Sequence, residues 1–178
     1  MDIHVSDEFK TLHSRLRDLV QHTLDPISLE VENANHIPEE VVDQLRGLGL
    51  FGMPIPKSYG GLGLSTLEEV LLMEEITRTN ACFRSRIGTS NGIGSMGILY
   101  DGTEDQKKYY LSRIATGEWT AAFALTEPNA GSDAGSITTA AELKGDHWVL
   151  NGTKQWITNA PYADYAMIFA VTDDTLAA

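Results

Sequence analysis

In the first two thirds of the chain, apolar residues recur every three or four positions, which is the spacing of an amphipathic helix. A first helix is predicted over residues 6–23, ended by the Asp-Pro pair at Pro26 and followed by a polar linker. A second helix is predicted to open at Pro38, because proline fits the first helical turn, and to end at Gly47 or Gly49. The apolar face of the first helix consists of Phe9, Leu12, Leu16, Leu19 and Val20.

Two capping boxes predict the starts of further helices. A Ser-x-x-Glu box at Ser65 predicts a helix to about residue 79, and a Thr-x-x-Gln box at Thr103 predicts one that ends at residue 115 or 116. Residues 50–64 are apolar but rich in glycine and proline, which predicts a structured loop packed on the core. The buried face of the helix after Ser65 is predicted to include Leu67, Val70, Leu71 and Ile76.

After Trp119 the helical spacing gives way to short apolar runs separated by hairpin turn signals. Gly145 is predicted to lie in the turn of one hairpin, and the Asn-Gly pair at Gly152 in a second. Strands are predicted over residues 119–125, 137–143, 147–150, 154–158 and 165–172. The predicted fold class is therefore α+β, with an all-α helical domain over residues 1–118 and an incomplete antiparallel β-barrel or sheet domain over residues 119–178.

The most distinctive stretch lies where the first predicted strand meets a polar, turn-rich loop over residues 126–135. Such a loop exposes backbone N–H groups and adds little side-chain bulk, which suits anionic or heteroaromatic ligands. Further along, Trp156 places a large aromatic plane two residues from the hydroxyl of Thr158. Together these features predict a site for a planar, hydrogen-bonding ligand. The competing interpretation is a pair of β-turns and a tryptophan buried in the core.

Four motifs give the chain a resemblance to the acyl-CoA dehydrogenase family. Thr-Glu-Pro-Asn-Ala-Gly-Ser-Asp spans residues 126–133, and Asn-Gly-Thr-Lys-Gln-Trp-Ile-Thr-Asn spans residues 151–159. The family's Tyr-Gly-Gly-Leu-Gly-Leu-Ser sequence occurs at residues 59–65, and its Gly-Thr-Glu-x-Gln-Lys-x-x-Tyr-Leu sequence at residues 102–111. A joint match of this length is far more specific than a lone glycine pattern.

The resemblance implies an FAD-dependent oxidoreductase of fatty acid metabolism, which removes hydrogen from the α and β carbons of an acyl-CoA thioester. It implies that the pyrimidine edge of the flavin contacts residues 123–126, that Trp156 packs beside the ring system, and that the Thr158 hydroxyl lies near flavin N5. The cofactor-contacting residues that it implies are Phe123, Leu125, Thr126, Trp156, Ile157 and Thr158. The substrate-contacting residues that it implies are Ser132, for the CoA portion, and Thr89, Ser90 and Ile93, for the acyl pocket.

The family's catalytic glutamate lies in a third, helical domain, so the resemblance assigns no catalytic base within these 178 residues. The chain is expected to be an N-terminal portion that is inactive by itself. For the full-length protein the resemblance implies an electron-transfer flavoprotein or a similar acceptor, and a homo-oligomer, either a dimer or a tetramer. Two alternatives remain open. One is a related flavoprotein that acts on nitroalkanes or hydroxylates aromatics, and the other is a non-catalytic interaction fragment.

Residues 92–97 satisfy the Gly-x-Gly-x-x-Gly pattern of dinucleotide-binding folds. The pattern should follow a strand and open a helix within a βαβ unit. Here helical spacing flanks it on both sides. The glycines are therefore predicted to permit close helix packing or to make room for a ligand chain.

Charge and composition exclude several classes of partner. The net charge of −12 argues against nucleic acids and anionic membrane surfaces. The single cysteine, Cys82, cannot form an internal disulfide, fits a reducing compartment and is predicted to be buried or half-buried. No apolar run is long enough to span a bilayer, and the first residues lack the features of a signal or transit peptide, so a cytoplasmic location is expected. The histidines show no metal-ligand spacing, and no metal site is expected.

Two charged residues of the motifs invite a chemical role. Glu127 precedes a proline, which favours turn-shaping or a local ion pair over service as a catalytic base. Lys154 is compatible with pairing to an acidic neighbour or with a place near a phosphate, and its sequence position does not decide between the two.

Overall fold

The computed structural model describes residues 5–172. Helices occupy the chain before residue 118 and strands the chain after it, as the sequence predicts. The helices are α1 (Asp7–Leu19), α2 (Asp25–Ala34), α3 (Glu39–Gly47), α4 (Thr66–Ile76), α5 (Ala81–Asn91), α6 (Met96–Asp101), α7 (Glu104–Gln106) and α8 (Ser112–Ala115). The strands are β1 (Ala121–Ala124), β2 (Ala140–Lys144), β3 (His147–Asn151) and β4 (Tyr165–Ile168).

The first helix does not stop at Pro26, which corrects the prediction. A π-helical turn, Val20–Leu24, joins α1 to α2 without a break, and Pro26 occupies the first turn of α2. In the π turn the N–H of Asp25 donates to the carbonyl of Val20, one residue further back than in an α-helix. This shift lets the chain pass a residue that has no N–H. The segment predicted as a polar linker is therefore helical, and it ends where Asn35 adopts a left-handed conformation with φ of 50°.

Both capping boxes form as predicted. Glu68 Oε2 accepts from the Ser65 N–H at 2.9 Å, and Gln106 Oε1 accepts from the Thr103 N–H at 2.8 Å. The helix after Ser65 ends at Ile76, three residues before the predicted end.

The buried face of α4 differs from the prediction. Ile76 is buried as predicted, but Leu67 and Val70 are 44% and 56% exposed, and Leu72 is buried in their place. Glu75 is buried on the same side, where it accepts from the Arg17 guanidinium at 3.0 Å. The inner face of α4 therefore includes a charged residue paired with α1, which hydrophobicity alone does not predict.

The loop over residues 50–64 packs on the helical core, as predicted. Its side chains Leu50, Phe51 and Met53 are fully buried among the helices. Asn91 of α5 fixes the loop, because its Oδ1 accepts from the Met53 N–H at 2.8 Å. A second cluster around Leu111 and Ile114 joins the helices to the sheet region.

The two strand pairs run in different directions. β2 and β3 form an antiparallel hairpin around Gly145, whose φ is 67°, as the sequence predicts. β1 and β4 pair in parallel, with Phe123 opposite Met167, where an antiparallel sheet was predicted. Parallel partners require a long crossover connection, and the whole segment between β1 and β4, including the hairpin, provides it. Residues 154–158, predicted as a strand, have an irregular conformation.

Gly94 and Gly97 are packing positions, which agrees with the first of the two interpretations, although their partners include the strands β1 and β4. A Cβ on Gly92 would make only an ordinary contact, at 3.6 Å from the Gly88 carbonyl oxygen. A Cβ on Gly94 would lie 2.6 Å from the Ala121 Cβ of β1 and 2.7 Å from the Thr89 carbonyl oxygen. A Cβ on Gly97 would lie 2.5 Å from Cε of Met167 in β4. The missing side chains therefore allow the segment from α5 to α6 to approach the parallel strand pair.

Replacement of Gly94 by alanine should destabilise the protein by about 1–3 kcal/mol, because the crowded atoms include backbone that cannot move aside. Gly47→Ala is the matched control. A Cβ on Gly47 meets nothing within 4 Å, so the stability should stay unchanged or rise by up to about 1 kcal/mol. Chemical denaturation measures both, and equal free energies of unfolding for the two variants would contradict the packing role.

Candidate functional site

The structure brings together the two segments that the sequence selected for ligand binding. Residues 125–126 leave the end of β1, and residues 154–158 run beside them. The Gln155 N–H donates to the Thr126 carbonyl at 2.9 Å. The Lys154 ammonium donates to the Leu125 carbonyl, also at 2.9 Å.

Several backbone N–H groups of these two segments have no protein acceptor within residues 5–172. They are the N–H groups of Leu125, Thr126, Trp156, Ile157 and Thr158. A backbone donor in a folded protein is normally paired with protein, water or ligand. A row of free donors on adjacent segments can therefore serve a ligand that carries several acceptor atoms.

Trp156 lies open to solvent beside these donors. Its side chain is 83% exposed, and its backbone has a φ of 60°, which is uncommon for a bulky residue. The competing interpretation, a tryptophan in the core, is wrong. Strained backbone of this kind clusters at functional sites, which makes Trp156 a candidate for ligand contact.

The apolar part of the site continues on β1. Phe123 is half-buried, and its ring packs against Phe169 with 4.9 Å between the ring centroids. The site thus offers aromatic surface on both segments and hydrogen-bond donors between them. A planar ligand with an apolar ring face and an acceptor-rich edge fits this arrangement, and the isoalloxazine of a flavin has that chemistry.

Glu127 connects the site segments to the start of the hairpin. Its carboxylate is buried and accepts from the Lys154 ammonium at 2.8 Å. It also accepts from the Thr138 N–H at 2.7 Å, the Thr138 hydroxyl at 2.8 Å and the Thr139 N–H at 2.9 Å. The interpretation of Glu127 as a local ion pair is confirmed, and of the two roles open to Lys154 the structure shows the pairing with an acidic neighbour.

The same contacts govern the protonation of Glu127. The Lys154 ammonium, together with threonine hydroxyl and backbone N–H donors, holds the pKa of the Glu127 carboxyl far below its usual value. Glu127 is therefore an anion at every ordinary pH and does not act as a proton acceptor.

The predicted substrate residues lie in different surroundings. Ser132 is exposed in the loop between β1 and β2, and Ile93 is 56% exposed after α5. Thr89 and Ser90 are 6% and 0% exposed, and the Ser90 hydroxyl has no hydrogen-bond partner within the described residues. Their contact with a substrate stays a prediction.

Sequence reasoning missed some residues that build the site. Thr138 and Thr139, which bind the Glu127 carboxylate, lie outside the motifs and carry no signal in a single sequence. Phe169 could have been suspected from its apolar run, but its partner depends on the parallel pairing of β1 with β4.

In the part of the chain that the structure describes, His, Cys, Asp and Glu side chains form no group of three or more suited to a metal ion. Cys82 is half-buried as predicted, and burial raises the pKa of its thiol, so its neighbourhood does not activate it. No helix within residues 5–172 has the length and apolarity needed to cross a bilayer.

Comparison with protein families identifies relatives of both parts of the chain. Residues 6–118 match the family described as acyl-CoA dehydrogenase, N-terminal domain, and residues 122–178 match acyl-CoA dehydrogenase, middle domain. The chain is 41% identical to mitochondrial isovaleryl-CoA dehydrogenase of Bos taurus over 96% of its own length and 41% of the relative. It is 39% identical to a 3-(aryl)acrylate reductase of Clostridium sporogenes over 94% of its length and 45% of the relative.

A similar solved structure is acyl-CoA dehydrogenase from Bacillus anthracis complexed with FAD. The TM-score is 0.86 at 38% identity, and the match covers 95% of this chain and 29% of that one. The chain spans less than half the length of the curated relatives that it matches.

The buried carboxylate gives the folded protein a defined response to acid. Because folding lowers the pKa of Glu127, its ionisation stabilises the folded state at neutral pH, and this contribution declines as the pH falls below the unfolded value of about 4.3. Glu127→Gln should lower the melting temperature at pH 7 by more than about 5 °C. The difference from the wild type should shrink below pH 4.

Glu142→Gln is the control for this measurement, since Glu142 pairs with Lys144 at 3.2 Å in an exposed position. It should change the stability by no more than about 1 kcal/mol at either pH. Thermal unfolding followed by circular dichroism distinguishes the variants. A Glu127→Gln protein as stable as the wild type at pH 7 would show that the carboxylate network does not stabilise the fold.

Proposed function

The chain belongs to the acyl-CoA dehydrogenase family, and we propose that the whole protein is an FAD-dependent oxidoreductase that desaturates an acyl-CoA thioester between its α and β carbons. The observation that carries this proposal is the row of free backbone donors beside an exposed Trp156. We further propose a domain boundary between residues 118 and 119, which the change from helices to strands supports.

The proposed flavin site uses the backbone more than side chains. The N–H groups of Leu125 and Thr126 would bind the acceptor atoms of the pyrimidine edge, with Phe123 beside them. Trp156 would pack against the ring system, Ile157 would add apolar contact, and the Thr158 hydroxyl would bind near N5. When bound, FAD supplies the two-electron acceptor for the hydride that leaves the β carbon.

Donors at the pyrimidine edge have a clear electrostatic purpose. Negative charge accumulates on that edge when the ring is reduced, and preorganised N–H groups stabilise it without having to reorient. The donors belong to segments fixed by the contacts of Lys154 and Gln155, so they are in place before the ligand arrives.

For the substrate, we assign the exposed hydroxyl of Ser132 to the CoA portion. Ile93 would line the acyl pocket from its exposed position after α5, with Thr89 and Ser90 behind it. The base that removes the α proton is assigned to a part of the protein outside these 178 residues. Glu127 is unsuited to that role, since its carboxylate is fully engaged.

The electron acceptor, oligomeric state and cellular location of the enzyme are also part of the proposal. We propose that an electron-transfer flavoprotein or a similar protein removes the electrons, and that the full-length protein is a cytoplasmic homo-oligomer of fatty acid metabolism. The net charge of −12 supports partners other than nucleic acid. Because one relative is named a reductase, the assay should cover both saturation and desaturation of the same carbon–carbon bond.

The full-length protein should bind FAD and show the visible absorption of a flavoprotein, and acyl-CoA should bleach that absorption. Trp156→Ala should weaken FAD binding about tenfold, as expected for the loss of one aromatic stacking contact. Trp148→Ala is the matched control, because Trp148 is 54% exposed on β3 and lies outside the proposed site. Titration of the apoprotein with FAD, followed by flavin fluorescence, measures both.

The outcome that contradicts the proposal is a full-length protein that neither retains nor binds FAD. Equal losses of FAD affinity for the Trp156 and Trp148 variants would show that the flavin does not bind specifically beside Trp156. The 178-residue chain by itself should show no turnover of acyl-CoA with an artificial electron acceptor.

A further inference from the structure

We propose that Lys154 is a positioning residue for FAD: held by Glu127, its ammonium fixes and polarises the peptide group between Leu125 and Thr126. The inference rests on the proposed function, because it concerns residues that would contact the flavin. It adds a residue that would not touch the flavin but would control one that does.

The contacts of Lys154 place its charge at one point. The ammonium donates to Glu127 Oε1 at 2.8 Å and to the Leu125 carbonyl at 2.9 Å. The side chains of Lys154 and Glu127 are 12% and 4% exposed, so solvent screens the ammonium little. A long, flexible lysine side chain is thus held in a single arrangement.

Glu127 is itself anchored to a third segment. Its two carboxylate oxygens accept from the backbone N–H groups of Thr138 and Thr139 and from the Thr138 hydroxyl. The position of the ammonium is therefore fixed by residues just before the hairpin as well as by the two site segments. A buried ion pair that satisfies its remaining hydrogen-bond positions in this way is well ordered.

The anchored ammonium joins the two proposed flavin segments. Lys154 lies two residues before Trp156, and its ammonium binds the carbonyl of Leu125 in the other segment. The Gln155 N–H, which donates to the Thr126 carbonyl, adds a direct backbone bond between the same segments. Loss of the lysine contact would leave that backbone bond to hold the spacing.

The lysine also acts on the electronic state of one peptide group. The Leu125 carbonyl and the Thr126 N–H belong to the same peptide unit, and this N–H has no protein acceptor within residues 5–172. A cation bound to the carbonyl oxygen polarises the unit, which makes its N–H a stronger donor. In the proposed site that N–H would bind the pyrimidine edge, so the lysine should favour the reduced, more negative flavin.

The experiment uses the full-length protein with Lys154→Met, Lys154→Arg and the control Lys144→Met. Lys144 forms an exposed ion pair with Glu142 on β2, so its loss removes an equal charge away from the site. Three quantities are measured: the dissociation constant of FAD, the midpoint potential of bound FAD, and the melting temperature of the apoprotein.

We expect Lys154→Met to raise the dissociation constant of FAD about tenfold, the lower end of what loss of a supporting contact costs at a bound group. We also expect a more negative midpoint potential. Lys154→Arg keeps the charge and should recover most of both effects, and Lys144→Met should change neither. The potential is decisive, since a residue that only stabilised the fold would not alter it.

Three outcomes overturn the inference. In the first, Lys154→Met binds FAD with the wild-type constant and potential. In the second, affinity falls together with the apoprotein melting temperature while the potential stays unchanged, which assigns Lys154 a purely structural role. In the third, the wild type binds no FAD, which removes the proposed function itself and is recognised before any variant is made.

Thr138→Val covers the case in which Lys154→Met does not fold. It removes one hydroxyl donor to Glu127 while keeping Lys154 and the side-chain shape. The looser carboxylate should weaken FAD binding by a smaller factor, about threefold, in the same direction. A Thr138→Val protein with the wild-type dissociation constant and potential would overturn the inference as well.

Discussion

A carboxylate excluded from water is stable only when every oxygen has a partner, and Glu127 meets that requirement by drawing three parts of the chain to one point. The loop after β1, the residues just before β2 and the segment before Trp156 all contribute donors or the acid itself. Each of these parts is irregular and short, and none has an apolar face wide enough to fix it by burial. The ion pair therefore holds the segments of the β region together, as the buried leucines and phenylalanines hold the helices together.

The helical half of the fold was largely predictable because its determinants are local. Capping boxes at Ser65 and Thr103 require only residues three positions apart, and the apolar spacing of α1 and α3 needs only one helix at a time. The failures in this half concern features that hydrophobic spacing does not carry. The burial of Glu75 in α4 depends on its contact with Arg17 of α1, which periodicity does not report. The π turn before Pro26 is a local feature, but hydrophobic spacing does not distinguish it from the end of a helix.

In the β half, strand pairing limits prediction. The hairpin of β2 and β3 joins neighbouring residues, and the glycine in its turn predicts it. The parallel pairing of β1 with β4 joins residues that are distant in sequence, and nothing in either run specifies direction. The site followed the same division. Its motifs could be recognised because each consists of residues adjacent in sequence. The donors from Thr138 and Thr139 that bind Glu127 lie outside those motifs and could not be recognised in that way.

The parallel pairing of β1 with β4 also sets the order in which the protein can be completed during synthesis. One edge of β1 stays without its partner until Tyr165–Ile168 has left the ribosome, because β4 is the strand that pairs with it. The residues of the larger helical core all lie before residue 88, so this core can begin to form earlier. The nascent chain therefore exposes an unpaired strand edge beside a helical core that has begun to form, while the second cluster around Leu111 still lacks Tyr165 and Met167. An exposed edge of this kind can pair with other chains until β4 covers it.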